Sequence, residues 1–154
     1  MPIEHAINHA RRLVIARGRG TLTDQDIFGY QSAVWSNAEV AGYDELMDMT
    51  DVEHIRLQSM DRVQQLAKVS AGMDAPSSAS KFAIVAPDDV AFGLGRMYQT
   101  YRSLDKRSTK EVGVFRSWEE ALTFLGRDAD PREFGPEGST RFSMRRWGMP
   151  FDTP

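Results

Sequence analysis

The sequence predicts an α/β fold in which a single mixed β-sheet of four to five strands has about four helices packed on it. The main observation is that residues 81–126 alternate between two short apolar runs, residues 82–86 and 112–115, and two segments with helical spacing. This order is typical of a βαβα unit, which places helices on the faces of a sheet. Two more strand-like segments precede the first helix, so the predicted element order is β-β-α-β-α-β-α-β-α.

The first two strands are expected within residues 2–20. The apolar run of residues 13–16 (LVIA) forms the centre of the second strand. Gly18 and Gly20 permit positive φ angles, and we expect them to end this strand.

A first helix is expected next. Thr23 is a suitable N-cap, and Asp26 places an acid three residues later, where a negative charge favours a helix N-terminus. Apolar residues then recur at helical spacing. We expect this helix to stop near residues 41–42 (AG).

A third strand is expected over residues 43–50, whereas residues 52–57 fit either a loop or a short extended piece. Ser59 is the expected N-cap of a second helix over residues 60–73. The small and polar residues 74–80 predict a loop before the next strand.

The third helix is expected to start at residue 88 or 89 and to end at residue 105, and the fifth strand covers residues 112–115. Ser117 and Glu120 form a Ser-x-x-Glu capping box at the start of the last helix. Gly126 suits the position that follows a helix end.

The C-terminal segment differs from the rest because prolines and glycines recur there without a sustained period. We therefore divide the chain into an α/β domain of residues 1–126 and an extended C-terminal tail of residues 127–154. Arg145 and Arg146 lie among aromatic residues of this tail. That pattern fits docking on the domain or on a second copy, disorder, or contact with a membrane surface.

Composition limits the function classes. A length of 154 residues predicts one domain, and a net charge of −3 gives no overall attraction to nucleic acid, so no nucleic-acid partner is expected. The absence of cysteine excludes disulfides, thiol nucleophiles and cysteine metal sites. No apolar stretch approaches the roughly 20 residues of a membrane span, and the N-terminus lacks the apolar core of a secretory signal. We expect a cytoplasmic protein, with peripheral membrane contact as an open alternative.

Four local patterns follow one another along the domain: residues 20–23 (GTLT), 43–48 (YDELMD), 92–98 (FGLGRMY) and 114–122 (VFRSWEEAL). The order of these patterns resembles that of the SpoIIAA-like family of small bacterial proteins. These proteins are related in fold to STAS domains and to lipid-carrier domains of the CRAL-TRIO type. The resemblance implies a four- or five-stranded sheet covered by helices and no established catalysis. It also implies a role at membranes or in holding an apolar ligand.

The chain departs from STAS antagonists of anti-sigma factors at one point. Those proteins carry a phosphorylatable serine in an Asp-Ser pair just after the third strand. The corresponding residues 48–52 read DMTDV, in which Thr50 is the nearest hydroxyl. A phosphorylation switch of that type is therefore not expected.

The third helix is the candidate ligand site. It has apolar residues on more than one side, so a ligand or a second subunit is expected to cover what the sheet does not, although core packing is the alternative. Arg96 is expected to contact a polar head group. The expected ligand-binding residues are Phe92, Gly93, Gly95, Arg96, Met97, Tyr98 and Tyr101.

A second hypothesis is a STAS-like regulatory module that binds a partner protein after the third strand, through Asp48, Asp51 and Ser59. Asp48 stands among apolar residues at the expected strand end. There it caps the next turn, contacts a ligand or partner, or acts as an acid or base. A third class, an enzyme, would require Asp48 and Arg96 to converge in one pocket.

No metal, cofactor or catalytic residue is expected. On a helix, His5 and His9 would be close enough to bind one metal ion, whereas an extended segment separates them by about 13 Å, which is too far. The leading hypothesis is therefore a non-enzymatic protein that binds a small apolar or lipid-like molecule. A homodimer is a further expectation, because both the third helix and the tail offer apolar surface for burial.

Overall fold

The computed structural model describes residues 2–127, which form one five-stranded sheet and four α-helices. The strands are β1 (Ile3–Asn8), β2 (Leu13–Thr23), β3 (Asp44–Arg56), β4 (Ser80–Val85) and β5 (Lys110–Phe115). The helices are α1 (Asp24–Trp35), α2 (Asp61–Met73), α3 (Asp89–Leu104) and α4 (Trp118–Leu125), with a 3₁₀ turn at Ala38–Val40. The predicted mixed sheet and element order are confirmed. The predicted tail lies outside the described residues, apart from Arg127.

The strands follow one another across the sheet in the order β1-β2-β3-β4-β5. β1 pairs antiparallel with β2, and the remaining neighbours are parallel. Three successive crossovers advance in the same direction. Because parallel crossovers are right-handed, they place α1, α2 and α3 on one face of the sheet. α4 follows the last strand and covers the other face.

Two hydrophobic cores result, one on each face of the sheet. The alternation of β2 shows the division: Val14 and Ala16 belong to the larger core under α1–α3, whereas Leu13 and Ile15 belong to the smaller core with α4. All four side chains are buried. Because both faces of β2 are buried here, residues 13–16 form a continuous apolar run in the sequence.

β2 is longer than the sequence predicted. Gly18 and Gly20 do not end the strand, which continues to Thr23. Instead, the register with β3 shifts between Arg17 and Arg19 and again after Gly20, whose φ is 61°. The positive φ accommodates an irregularity in the ladder, as glycine does in a β-bulge.

β3 is also longer than the predicted residues 43–50, and the ambiguous residues 52–57 are largely strand. β4 pairs only with residues 45–48 of β3. We call residues 49–56 the β3 extension; among the described strands, only β2 pairs with it. Asp48 therefore lies within a strand, and the prediction that it ends the strand was wrong.

The start of α1 is as predicted. Asp26 N–H donates to Thr23 Oγ1 at 3.1 Å, and Thr23 N–H donates to Asp26 Oδ2 at 2.9 Å, a complete capping box. The helix ends at Trp35, earlier than predicted, because Asn37 caps a separate 3₁₀ turn through a bond to Glu39 N–H.

The other helix ends give one correction. Ser59 does not cap α2; the N-cap residue is Met60, which makes no side-chain bond, and the Ser59 carbonyl accepts a turn bond from Arg62 N–H. Ser117 does cap α4, as predicted. Gly126 ends α4 in the left-handed region with φ 72°.

Two glycines in α3 give a test of how closely this helix packs on the sheet. Gly93 is exposed and has open space where a Cβ would lie, whereas a Cβ on Gly95 would lie 3.0 Å from Val114 Cγ1 of β5. We expect Gly93→Ala to raise the free energy of unfolding by about 1 kcal/mol, because alanine favours a helix interior over glycine. Gly95→Ala should gain less than Gly93→Ala, or lose stability. Urea unfolding of both variants measures the difference, and equal gains would show that Gly95 is not a close contact.

Candidate functional site

An apolar cavity of about 100 Å³ lies between the sheet and helices α1, α2 and α3. Its walls come from β2, β3, β4 and all three helices. The lining residues are Leu22, Asp24, Ile27, Phe28, Tyr30, Gln31, Glu45, Met47, Met49, Ile55, Leu57, Arg62, Val63, Leu66, Phe82, Ile84, Ala91, Leu94, Gly95 and Tyr98. Most of them are aliphatic or aromatic, so the cavity is suited to an apolar molecule.

The lining has a buried inner part and a half-buried rim. The inner part includes Met47 and Phe82, both of which are buried. The half-buried lining residues are Ile27, Phe28, Met49, Ile55, Leu57, Arg62, Leu66 and Leu94. Several of these lie near the start of α1, the end of β3 and the start of α2. The cavity therefore opens on this side, where α2 contacts α1 less extensively than it contacts α3.

Four buried side chains, which we call the inner polar cluster, meet at the inner end of the cavity: Tyr30 and Glu45 line it, and Trp35 and Lys110 contact them. Tyr30 O–H donates to Glu45 Oε2 at 2.9 Å, and Trp35 Nε1–H donates to the Tyr30 hydroxyl at 3.2 Å. Lys110 Nζ lies 3.4 Å from Glu45 Oε1 and 3.2 Å from the centroid of the Trp35 ring. α1, β3 and β5 are thus tied together at one carboxylate.

Burial shifts the ionisation of this cluster. Desolvation, followed by the negative charge of Glu45, raises the pKa of Tyr30 well above its ordinary value. Desolvation lowers the pKa of Lys110, and the attraction of Glu45 offsets part of that effect. The Tyr30 phenol therefore remains protonated and continues to donate to Glu45.

A second buried network positions Tyr98, whose ring lines the cavity. Arg102 Nη1 donates to the Tyr98 hydroxyl at 2.6 Å, and Arg102 Nη2 binds Asp74 Oδ2 at 2.5 Å. The same Asp74 oxygen accepts the backbone N–H groups of Thr109 and Lys110. α3 is thereby joined to the loops before β4 and β5.

A third polar group, the rim ion pair of Asp24 and Arg62, lies at the cavity opening. Arg62 Nε donates to Asp24 Oδ2 at 2.6 Å, and Arg62 Nη1 donates to Gln65 Oε1 at 2.6 Å. The guanidinium carbon lies 4.2 Å from the centroid of the Phe28 ring. The Asp24 side chain is only 5% exposed and the Arg62 side chain 26%, so the arginine is the member that faces solvent.

The sequence-predicted ligand residues divide into two groups. Gly95 and Tyr98 line the cavity. Phe92, Met97 and Tyr101 are half-buried against the larger core, and Gly93 and Arg96 are exposed. Arg96 instead lines a separate, more polar depression together with α3 and β5 residues. The binding role of these residues stays a prediction.

The predicted partner residues have local roles in the structure. Asp48 Oδ1 accepts from Thr50 N–H at 2.9 Å and from Thr50 Oγ1 at 2.5 Å, which satisfies a buried carboxylate locally. Asp51 forms an ion pair with Arg17, and Ser59 is exposed. Arg96 lines the depression between α3 and β5, and Asp48 is not among the residues that line it, so this depression does not combine the two side chains.

The histidines are positioned separately. His5 lies in β1, whereas His9 lies in the following turn, where its Nδ1 is 2.8 Å from the Tyr43 hydroxyl. Within residues 2–127, no group of three or more His, Asp or Glu side chains is placed to hold a metal ion. No helix in this part of the chain is both long enough and apolar enough to span a bilayer.

Comparison with known proteins identifies the fold. No protein-family model and no curated protein matches the chain. A solved structure of an uncharacterized protein of the DUF3478 family from Shewanella loihica PV-4, described as having a SpoIIAA-like fold, matches with a TM-score of 0.52 and 14% sequence identity. The match covers 80% of this chain and 93% of that chain. The chain has a SpoIIAA-like fold, as the sequence patterns predicted, and the similarity extends to the fold alone.

The buried ion pair gives a stability prediction. Glu45→Gln leaves the Lys110 ammonium without a carboxylate, and breaking one side of a buried pair costs about 3–5 kcal/mol. We expect the Glu45→Gln, Lys110→Met double variant to recover part of this loss. Urea unfolding checks both values, with Glu53→Gln as a control because Glu53 is an exposed acid on the same strand.

The stability of the Glu45→Gln variant should also depend on pH, and the direction of the change follows from Lys110. The folded-state pKa of Lys110 lies below its unfolded value, so between the two the unfolded state binds more protons. Stability of Glu45→Gln should therefore rise as pH increases from neutrality toward 10. If Glu45→Gln lowers the free energy of unfolding only slightly and shows no such pH trend, the result would contradict a charged, buried Lys110.

Proposed function

We propose that the chain is a non-enzymatic binding protein that holds a small apolar ligand in the cavity under α1, α2 and α3. The apolar lining and the half-buried rim are the observations that carry the proposal. At about 24 cal/mol per Å³, an empty cavity of about 100 Å³ costs roughly 2 kcal/mol of stability. A ligand that fills the space recovers part of this energy.

The cavity size limits the ligand. An engineered apolar cavity of about 150 Å³ in another protein binds benzene or xenon. The cavity of about 100 Å³ therefore accepts a group of benzene size or smaller, unless the helices move apart. A longer, lipid-like molecule would insert one end and extend through the rim. Peripheral membrane contact and a homodimer stay predictions.

The bonding of the polar residues supports binding rather than catalysis. Tyr30, Trp35, Glu45 and Lys110 are bound to one another, and Arg102 binds the Tyr98 hydroxyl. A general acid or base needs an open path to the proton that it transfers. These side chains instead close the inner end of the cavity.

A second candidate function is the STAS-like regulatory module, which a separate surface supports. A cleft of about 350 Å³ lies between the β3 extension and the start of α3. Its lining includes Val90, which is 63% exposed. The β3 extension has no described strand on the side of β4, and an open strand edge beside an apolar side chain suits strand addition by a partner peptide.

Methionine methyl groups provide a direct test of ligand binding. Met47 and Met49 line the cavity, Met97 lies on the predicted α3 groove outside it, and Met60 is 54% exposed. With ¹³C-methyl methionine, toluene titration should shift the Met47 and Met49 signals, with little effect on Met97 and Met60. Shifts confined to Met97 would favour the groove predicted from the sequence.

Two phenylalanine variants on α2 form a matched pair for this experiment. Val63→Phe adds volume at a buried lining position, whereas Val69→Phe adds it at a position that is 37% exposed and does not line the cavity. We expect Val63→Phe to abolish the methyl shifts and Val69→Phe to retain them. Leu66→Phe at the rim is a second blocking variant if Val63→Phe unfolds. Retained binding in both blocking variants would contradict the proposed site.

The regulatory alternative is tested on the cleft itself. Val90→Asp places a charge in the cleft, and Leu104→Asp is the control because Leu104 is 74% exposed at the other end of α3. If the chain is a regulatory module, a partner protein that co-purifies with the wild type should be lost only with Val90→Asp. Toluene binding should persist in both variants, and equal retention of the partner would exclude this cleft as the contact.

A further inference from the structure

We infer that the ligand of this cavity is an uncharged amphiphile, whose apolar end enters the cavity and whose alcohol or carbonyl oxygen accepts a hydrogen bond from Arg62 at the rim. The inference rests on the proposed function, because it concerns the ligand class of the same cavity. It is carried by the bonding of the inner polar groups, the remaining donors of Arg62 and the balance of charge around the opening.

The inner end of the cavity favours an apolar group. The Tyr30 hydroxyl donates to Glu45 and accepts from Trp35, and the Tyr98 hydroxyl accepts from Arg102. These bonds use the Tyr30 O–H and the Trp35 N–H, and they hold the Tyr98 hydroxyl against the Arg102 guanidinium. A ligand oxygen placed beside Tyr30 and Trp35 would lose its bonds to water without gaining a bond from either group, and such a loss is unfavourable.

The rim offers charged N–H donors that are fixed in position. A guanidinium has five N–H groups, and Arg62 uses one on Nε for Asp24 and one on Nη1 for Gln65. Its Nη2 makes no hydrogen bond to any residue between 2 and 127. The bond to Asp24 and the stacking on Phe28 hold the group in place, so the remaining donors are preorganised for an acceptor.

The charge balance of the site selects against ionised ligands. Arg62 is neutralised by Asp24, and Glu45 of the inner polar cluster is neutralised by Lys110. A carboxylate at Arg62 would approach the buried Asp24 carboxylate, whereas an ammonium near Asp24 would approach Arg62. A neutral oxygen accepts a bond from Arg62 without either repulsion.

The experiment compares four benzene derivatives: toluene, benzyl alcohol, benzoate and benzylamine. Each is titrated into the wild-type chain while the Met47 and Met49 methyl signals are followed. We expect toluene and benzyl alcohol to bind. After the water-to-octanol transfer free energy of each compound is subtracted from its binding free energy, benzyl alcohol should bind more tightly than toluene. Benzoate and benzylamine should bind at least about tenfold more weakly than benzyl alcohol, equivalent to about 1.4 kcal/mol.

A charge-removing variant makes the test specific for the rim. Asp24→Asn leaves the Arg62 charge uncompensated, so the ratio of benzoate affinity to benzyl alcohol affinity should rise at least about tenfold. Asp61→Asn is the matched control, because Asp61 is an exposed acid next to Arg62 in the sequence and does not line the cavity. The control should leave the ratio unchanged.

The outcomes separate this inference from the proposed function. Toluene binding with equal affinity for benzyl alcohol and benzoate, in wild type and Asp24→Asn alike, overturns the neutral-ligand inference and leaves cavity binding intact. Failure of all four compounds to shift Met47 and Met49 overturns both. If Asp24→Asn does not fold, the wild-type series decides, and a preference for benzoate or benzylamine there contradicts the inference.

Discussion

The cavity depends on the interaction of the Glu45 carboxylate with Tyr30 and Lys110. Glu45 points from β3 toward the helices, so its charge must be satisfied without water. Tyr30 reaches it from α1, and Lys110 reaches it from the start of β5. Together these bonds hold α1 over the sheet. They also place polar atoms that are already bonded at one end of the space between the sheet and the helices. What remains of that space between the described elements is mostly apolar, and its half-buried lining residues lie at the rim.

The space itself follows from the unequal distances at which the helices approach the sheet. α3 lies close, because Gly95 carries no side chain where it meets Val114. α1 is held instead through the long side chains of Tyr30 and Trp35. α2, between them in the connection order, packs mainly against α3. A sheet covered by helices at different heights leaves a gap along the looser boundary, and close packing elsewhere prevents the gap from collapsing.

Much of the fold was predictable because its signals are local. The alternation of β4, α3, β5 and α4 and the caps at Thr23 and Ser117 are short-range patterns. Sequence alone did not distinguish a glycine that ends a strand from one that forms a bulge, and the partner strand decides this for β2. Within the candidate site, the pair of glycines in the third helix indicated Gly95, and the aromatic residues of the same helix indicated Tyr98. The ion pairs were not, because Arg62 and Asp24 are 38 residues apart and Lys110 and Glu45 are 65 apart. Charged residues are ordinarily exposed, and only tertiary packing reveals these exceptions.

The contrast between the two ends of the cavity supports our proposal that the site binds a ligand rather than catalyses a reaction. Catalytic groups stabilise charge that develops during a reaction, so their bonding is completed in the transition state. At the inner end, the carboxylate, ammonium, phenol and indole are already bound to one another. Breaking that arrangement to serve a substrate would leave a buried charge unpaired. At the rim, by contrast, Arg62 retains donors while its charge is neutralised by Asp24. In the proposed function, such a group would orient a ligand without activating it.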